Sequence, residues 1–587
     1  MRWDSSFLKN FKTGSVIRIF LIACAFFSIF SATCQEVEKK IVKVFPAPNK
    51  LLIQFQLPEF EIADTILVNR YGSPEKFTYI RIQDDFETTG ALGVPQLPQL
   101  TFDLQVPYNA SDFKVELLSM DPSVINNIEK KIVPAQTENA ICGVPTHSKN
   151  QFSGFFSNDN YANVSESQDD SYIQYNETFV VFGERGINVT VSPFMYHPEQ
   201  ENLTVISKAV FAVSYTLSGQ DPEHYYSEAK DDYLSSLFEN YENSGGYAPQ
   251  KERYLIITPL EFDTVLTGFA HFKRDNGFEV QVVTTNTTGN TAASIKKYIQ
   301  NQYNNISTRP AFVLLVGDVD KIPAYEGDAS GKVEARPVSD LGYALLDGKD
   351  WFADVFLGRF SVADEKQLKN IIDKTIFMET NMHRFEKKAV FIAGDEKKGV
   401  WNRLYMKNSF KAGHEYVIRN SFIPVGYNCK RLYQPRKEEV INALNDNPLF
   451  YIYAGHGTPG SFAGISFDLT HKEIQSATNT VFPFVFSFAC KTGNFAQKSI
   501  GEYFIGEKGK GAVAYFGSSV NSRTNTDPII EKKIFGTAFK QEACHLSAMI
   551  NLGMKRFANA AGIRNIRKEI YLKSYNLLGD PSFPLKK

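Results

Sequence analysis

Between residues 447 and 521, three short apolar runs each stop abruptly in small or polar residues. The stretch reads NPLFYIYAGHGTPGSFAG, then a polar passage, then FPFVFSFACKTGNFA and, further on, GKGAVAYFGSSVN. Runs of this length, rich in aromatic and β-branched residues, are the pattern of strands buried on both faces of a parallel sheet. The carboxyl ends of such strands open into the loops where ligands and chemistry collect in open α/β sheets. The first run, 449–454, ends in Gly455-His456-Gly457, and the second, 484–489, ends in Cys490. A histidine and a cysteine at one edge of neighbouring strands are a base and a nucleophile in the right place. Either residue alone has a plainer reading, a structural histidine or an inert core cysteine. Together they read differently: glycines flank His456, so the backbone can turn and approach a ligand closely, and Cys490 opens into polar Lys-Thr-Gly-Asn.

The rest of the chain sets this stretch within a longer order. With 587 residues, two or three domains are expected, and 43% hydrophobic against 22% charged residues is the balance of a globular protein. A formal net charge of −2 without a polybasic block argues against nucleic acid or an anionic membrane as partner. Residues 1–34 carry Arg2, Lys9, Lys12 and Arg18 before the run IFLIACAFFSIFSA. At about 14 residues that run is too short for a membrane span and suits a signal peptide, so export to the cell surface or medium is expected. Cys34 closes the leader; its lipidation would be the one route to a membrane, but Phe-Ser-Ala-Thr before it departs from a lipidation signal.

Residues 35–225 alternate as strands do, in KLLIQFQL, FKVELLSM, TFVVFG and AVFAVSYTL, and predict a β-rich domain. Residues 226–252 lose that alternation and become charged and turn-rich, which reads as a linker and activation region. From Arg253 to Lys587 strands alternate with helical patterns, predicting an α/β domain: a largely parallel sheet with helices on both faces. Of the six cysteines, Cys24 and Cys34 belong to the leader, and Cys142, Cys429, Cys490 and Cys544 show no C-x-x-C spacing, so neither a zinc knuckle nor a dense disulfide framework is indicated.

The AGHG and FSFAC elements, GAVAYFGSSVNS, the closing LLGDPSFPL, and upstream LLVGDVDKIP (314–323) and DVFLGRFSV (354–362) resemble, in order, the catalytic domain of the gingipain-type cysteine peptidases. GVPQLPQLTFDLQVPYNA (93–110) resembles the propeptide that precedes it in that family. The resemblance implies a caspase-like fold in two sheet-bearing subdomains, and a zymogen whose propeptide covers the active site. It implies Cys490 as nucleophile, His456 as general acid/base, and the N–H groups of Gly457 and Cys490 as oxyanion hole. It places Glu396, in FIAGDEKK, as the group orienting the histidine, and needs no cofactor for catalysis. Immunoglobulin-like and sorting domains commonly follow in the family; this chain ends at Lys587.

Two positions depart from or add to that pattern. Where arginine-cleaving relatives carry a carboxylate, three residues before a His-Glu pair, this chain has Lys411 before His414-Glu415, and their aromatic pocket wall is replaced by Asn521-Ser522-Arg523-Thr524. With Lys411, Arg523 and Thr524 lining the pocket, Arg and Lys are expected to be refused at P1 and an acidic P1 residue favoured. Asp347, Asp350 and Asp354, closely spaced before a strand, are a candidate structural Ca²⁺ site, and the resembled peptidases hold calcium there. A polypeptide substrate hydrolysed through a thioester is the leading reading. A sortase-like transpeptidase, or a silent binding protein on the same scaffold, are the alternatives.

Overall fold

The apolar runs become the middle of one ten-stranded sheet. In the computed structural model its strands are β1 (Glu252–Thr258), β2 (Phe278–Thr284), β3 (Phe312–Val316), β4 (Phe356–Phe360), β5 (Lys388–Ala393), β6 (Asn428–Tyr433), β7 (Phe450–Ala454), β8 (Phe484–Phe488), β9 (Ala514–Ser518) and β10 (Tyr575–Leu578). Their order in space is β2-β1-β3-β4-β10-β9-β8-β7-β5-β6. Neighbours run parallel throughout, except that β10 is antiparallel to β9. The structure describes residues 40–585 other than 69–72, 83–85, 89–93, 135–171, 221–224, 243–250, 326–336, 395–409, 525, 540–544 and 561–564. The leader, Cys142, Cys544, Asp395 and Glu396 therefore lie outside the described residues.

The alternation along each strand explains why the runs read as continuously apolar. Tyr254, Ile256, Phe312 and Leu314 face one core, whereas Leu255, Ile257, Val313 and Leu315 face a second on the other side of the sheet. Both faces are covered, so neither needs polar residues. Two subdomain sheets were expected; instead β10, late in the chain, inserts between β4 and β9 and joins the halves into one. The seam is held by buried charge. The Arg359 guanidinium grips both oxygens of Asp340 at 2.6 and 2.7 Å, and Asp580, just past β10, lies 2.6 Å from the buried Lys273 ammonium, which also binds Glu379. Asp580 is thus structural, as its turn motif indicated.

The N-terminal region is all antiparallel β. Val42–Ala47, Lys50–Gln56, Ala110–Ile125, Phe194–His197 and Asn202–Leu217 make a five-stranded sheet, and Glu87–Thr88, Pro98–Val106, Ile173–Val181 and Glu184–Val191 a four-stranded one. The stretch expected to be a linker contains instead helix α1 (Glu228–Leu237), capped by the Ser227 hydroxyl and mostly buried. Its Lys230 binds Glu184 at 2.7 Å, and its Tyr233 packs edge-on against Phe356 of β4. The charged residues that suggested solvent were partners for buried groups; residues 243–250 lie outside the described ones.

The β-rich domain joins the α/β domain through a shared core and a buried ion pair. Phe182 meets Phe356 at 4.5 Å between ring centroids. Helix α4 (Leu546–Ala558) presents Lys555, whose ammonium lies 2.9 Å from Asp103 and 4.0 Å from the centre of the Phe179 ring. Both charges are almost fully buried, so each depends on the other. Among the described residues no helix is long and apolar enough to cross a membrane.

Candidate active site

The register of β7 and β8 brings His456 and Cys490 together. Ala454 is paired with Phe488, so the two functional residues lie two positions beyond the same rung, at the carboxyl edge of adjacent parallel strands. Gly455 N–H still reaches Phe488 C=O at 3.3 Å, which carries the pairing to the edge of the site.

His456 begins a small antiparallel hairpin, His456–Thr458 with Ser461–Ile465. Tyr453 anchors it: its hydroxyl is 2.5 Å from the carbonyl oxygens of both His456 and Ala463, and its ring stacks on Phe462 at 4.2 Å. The imidazole rests on Gly464, where a Cβ would come within 2.9 Å of His456 Cδ2 and where φ is +78°. Gly457 leaves even less room: a Cβ there would lie 2.4 Å from the carbonyl oxygen of Cys490. The glycines around the histidine thus let two strand ends touch.

Cys490 is 1% exposed. The chain turns sharply after it through Lys491 at φ +60°, a conformation costly for a non-glycine residue and held here by Lys491 N–H to Val520 C=O at 2.9 Å. The sulphur accepts a hydrogen bond from the Ser522 amide at 3.3 Å, with the Ser522 hydroxyl 3.9 Å away. That hydroxyl donates to Asp527 Oδ2 at 2.5 Å, and the Tyr575 hydroxyl donates to Oδ1 at 2.9 Å. Burial raises Asp527 to about 7, against the hydrogen bonds from Ser522, Tyr575 and Tyr571 that lower it. Asp527 opens helix α3 (Asp527–Ala538) before Pro528. The sequence concealed its place, because Asp-Pro at that point is a common helix start.

The remaining predicted residues separate. Arg523 and Thr524 are half-buried beside Ser522, and the Arg523 amide donates to the Tyr571 hydroxyl at 2.6 Å. Lys411 is exposed on α2 (Phe410–Val417), its ammonium over the Tyr433 ring, where the aliphatic stem packs and the charge stays in water. The adjacent His414 is buried and held by Glu531 at 2.6 Å and Ile392 C=O at 3.0 Å. Glu396 lies outside the described residues, but Gly394, two positions earlier, donates its N–H to Ala454 C=O at 2.9 Å, next to the histidine's strand end.

The acidic trio, Asp347, Asp350 and Asp354, is divided between a turn and the β-rich domain. Asp354 accepts from the amides of Leu346 and Asp347 at 2.7 and 2.8 Å, Asp350 from Val180 of the β-rich domain at 2.8 Å, and Asp347 from the Tyr108 hydroxyl at 2.9 Å. Among the described residues, no group of three or more His, Cys, Asp or Glu side chains is placed to hold a metal ion. These carboxylates close a turn and receive the β-rich domain.

A cysteine and a histidine at the carboxyl edge of central parallel strands, with helices on both faces of the sheet, define a cysteine peptidase of caspase-like fold. The chain belongs to peptidase family C25, the gingipain-type cysteine peptidases: the family's model matches residues 247–586, and that of its propeptide matches residues 64–248. It is 29% identical over 336 residues to gingipain R2 of Porphyromonas gingivalis, covering 54% of this chain and 44% of that one. It is 28% identical over 444 residues to Lys-gingipain of the same organism, covering 68% of this chain and 25% of that one. The chain therefore spans less than half the length of these relatives. The crystal structure of the Arg-specific cysteine proteinase gingipain R matches with a TM-score of 0.50 at 21% identity, over 58% of this chain and 80% of that one, a likeness of fold.

Proposed function

We propose that this protein is an exported cysteine endopeptidase made as a zymogen. The observation that supports the reading is the shared rung, Ala454 with Phe488, two positions before His456 and Cys490. The Cys490 thiolate attacks the scissile carbonyl, and His456 takes the thiol proton and delivers it to the leaving amine. Gly457 and Cys490 N–H groups receive the developing oxyanion, and water releases the thioester. Glu396 orients the imidazole, supported by the position of Gly394 beside the histidine's strand. The apolar leader supports export. The β-rich domain acts as propeptide and inhibitor, a role supported by the propeptide match and by the buried Asp103–Lys555 contact.

At P1 the enzyme does not select Arg or Lys. Both oxygens of Asp527, the buried carboxylate behind Ser522, are already taken by hydroxyl donors. The exposed Lys411, over the Tyr433 ring, lends no support to an acidic preference. The test is a peptide library cleaved by the processed protein beside Cys490→Ala and His456→Ala. Cleavage lost in both variants, without a basic P1 signature, is expected. Strong cleavage after Arg or Lys contradicts the P1 reading, and cleavage that survives Cys490→Ala contradicts the whole assignment.

A further inference from the structure

The segment after β9 folds back on itself next to the nucleophile. The amides of Thr526 and Asp527 both donate to Arg523 C=O at 3.0 Å, so a tight turn returns the Asp527 carboxylate to Ser522. The Ser522 side chain is thereby held at 2.5 Å, while its own amide points at Cys490 Sγ. Tyr575 from β10 fixes the other carboxylate oxygen, and Tyr571, from helix α5 (Asn565–Ser574), holds the next amide, that of Arg523. Ser522, Asp527, Tyr571 and Tyr575 are all buried, and none of them is a residue to which the peptidase reading assigns a chemical step.

We propose that Asp527 is a positioning residue for the nucleophile: by holding the Ser522 hydroxyl it fixes the Ser522 amide against the Cys490 sulphur, and that amide stabilises the thiolate. The inference rests on the peptidase reading and deepens it. A hydrogen bond to the charged form of a group favours that form. A backbone amide is a donor that cannot rotate away once its neighbours are pinned, so the sulphur keeps it through the reaction. The groups facing Asp527 fit an anchor and not a cation site. They are the hydroxyls of Ser522, Tyr571 and Tyr575, and Glu531 one turn along α3, one of whose oxygens is held by His414. Burial raises Asp527, and the hydroxyl donors oppose that rise, leaving it at about 7.

The test measures the rate of iodoacetamide alkylation of Cys490 against pH in the processed protein, with Ser522→Ala, Asp527→Asn and Tyr575→Phe, and kcat and KM on one good peptide. Ser522→Ala keeps the amide and removes its anchor. Both it and Asp527→Asn are expected to slow alkylation at neutral pH about tenfold, because the thiolate is the reacting form and loses its donor. The same variants are expected to lower kcat about tenfold with KM within about twofold, as for an interaction felt in the reacting state. Tyr575→Phe leaves the Ser522 contact and gives a smaller change of the same sign, which keeps the inference testable should Asp527→Asn not fold. Variants that alkylate with the unaltered pH profile overturn the inference while the peptidase reading stands, and so does a rise in KM alone. An unaltered protein whose Cys490 is never alkylated faster than a free thiol overturns both.

Discussion

The narrowest tolerance in the site is at Gly457. A methyl group there would sit 2.4 Å from Cys490 C=O and 2.6 Å from the Thr492 side chain, well inside contact distance. Gly457→Ala must push the two strand ends apart, and it displaces an oxyanion donor from a position where loss of one donor costs about a hundredfold or more in kcat. A drop of that size in kcat, with secondary structure retained by circular dichroism, is expected; unchanged kcat would mean the amide of Gly457 takes no part. Glu502 belongs to the same scale but acts on stability. It accepts from Ser499 N–H at 2.6 Å and Ser361 Oγ at 2.9 Å, yet burial raises it from 4.5 to about 7. A carboxyl raised in the folded state binds its proton more tightly there than when unfolded. Its contribution is therefore most favourable below the unfolded value and declines as pH rises toward 7, by on the order of 3 kcal/mol in all. Glu502→Gln should flatten the fall in denaturation midpoint between about pH 5 and 7. An equally steep fall in the variant would exclude Glu502 as its source.

At the scale of elements, β7 and β8 were legible because strands buried on both faces leave no polar alternation, and because His456 and Cys490 end two of them. Their being neighbours in register is a tertiary fact that no local pattern encodes. The same limit hid β10: nothing in YNLL says that it closes the gap between β4 and β9. In sequence the charged residues of α1 read as a solvated linker; in the structure Lys230 is buried against Glu184. Lys411 failed for the converse reason. Its spacing from His414 was sound, but a helix turn decides which side of α2 it occupies, and it lies on the exposed one. The acidic trio reads as a metal site from its spacing and from the resemblance; two backbone amides bind one oxygen of Asp354, and its other oxygen is buried without a hydrogen-bond partner. Between elements, the Asp103–Lys555 pair gives a direct prediction. Removing one partner of a buried ion pair costs about 3–5 kcal/mol, because the other charge stays buried. Asp103→Ala in the separated β-rich domain should weaken its inhibition of the processed enzyme at least a hundredfold in Ki. An unchanged Ki would show that this contact does not hold the two domains together.

At the scale of the whole molecule, one long sheet carries the chemistry at its carboxyl edge. The β-rich domain is bound through β4, α4 and the 345–355 turn, where its Val180 amide meets Asp350 and its Tyr108 hydroxyl meets Asp347. Aromatic packing such as Phe182 on Phe356 continues the core across the boundary. The account rests above all on an activated thiolate at Cys490, and the most direct measurement is site-resolved labelling. The processed protein, Cys490→Ala and His456→Ala are exposed briefly to a limiting iodoacetamide probe, and each cysteine's modification is followed by mass spectrometry. Rapid labelling at Cys490, absent in Cys490→Ala and slowed to the rate of an ordinary thiol in His456→Ala, is the predicted result. Labelling of Cys490 no faster than Cys429, or a rate indifferent to His456, would contradict it.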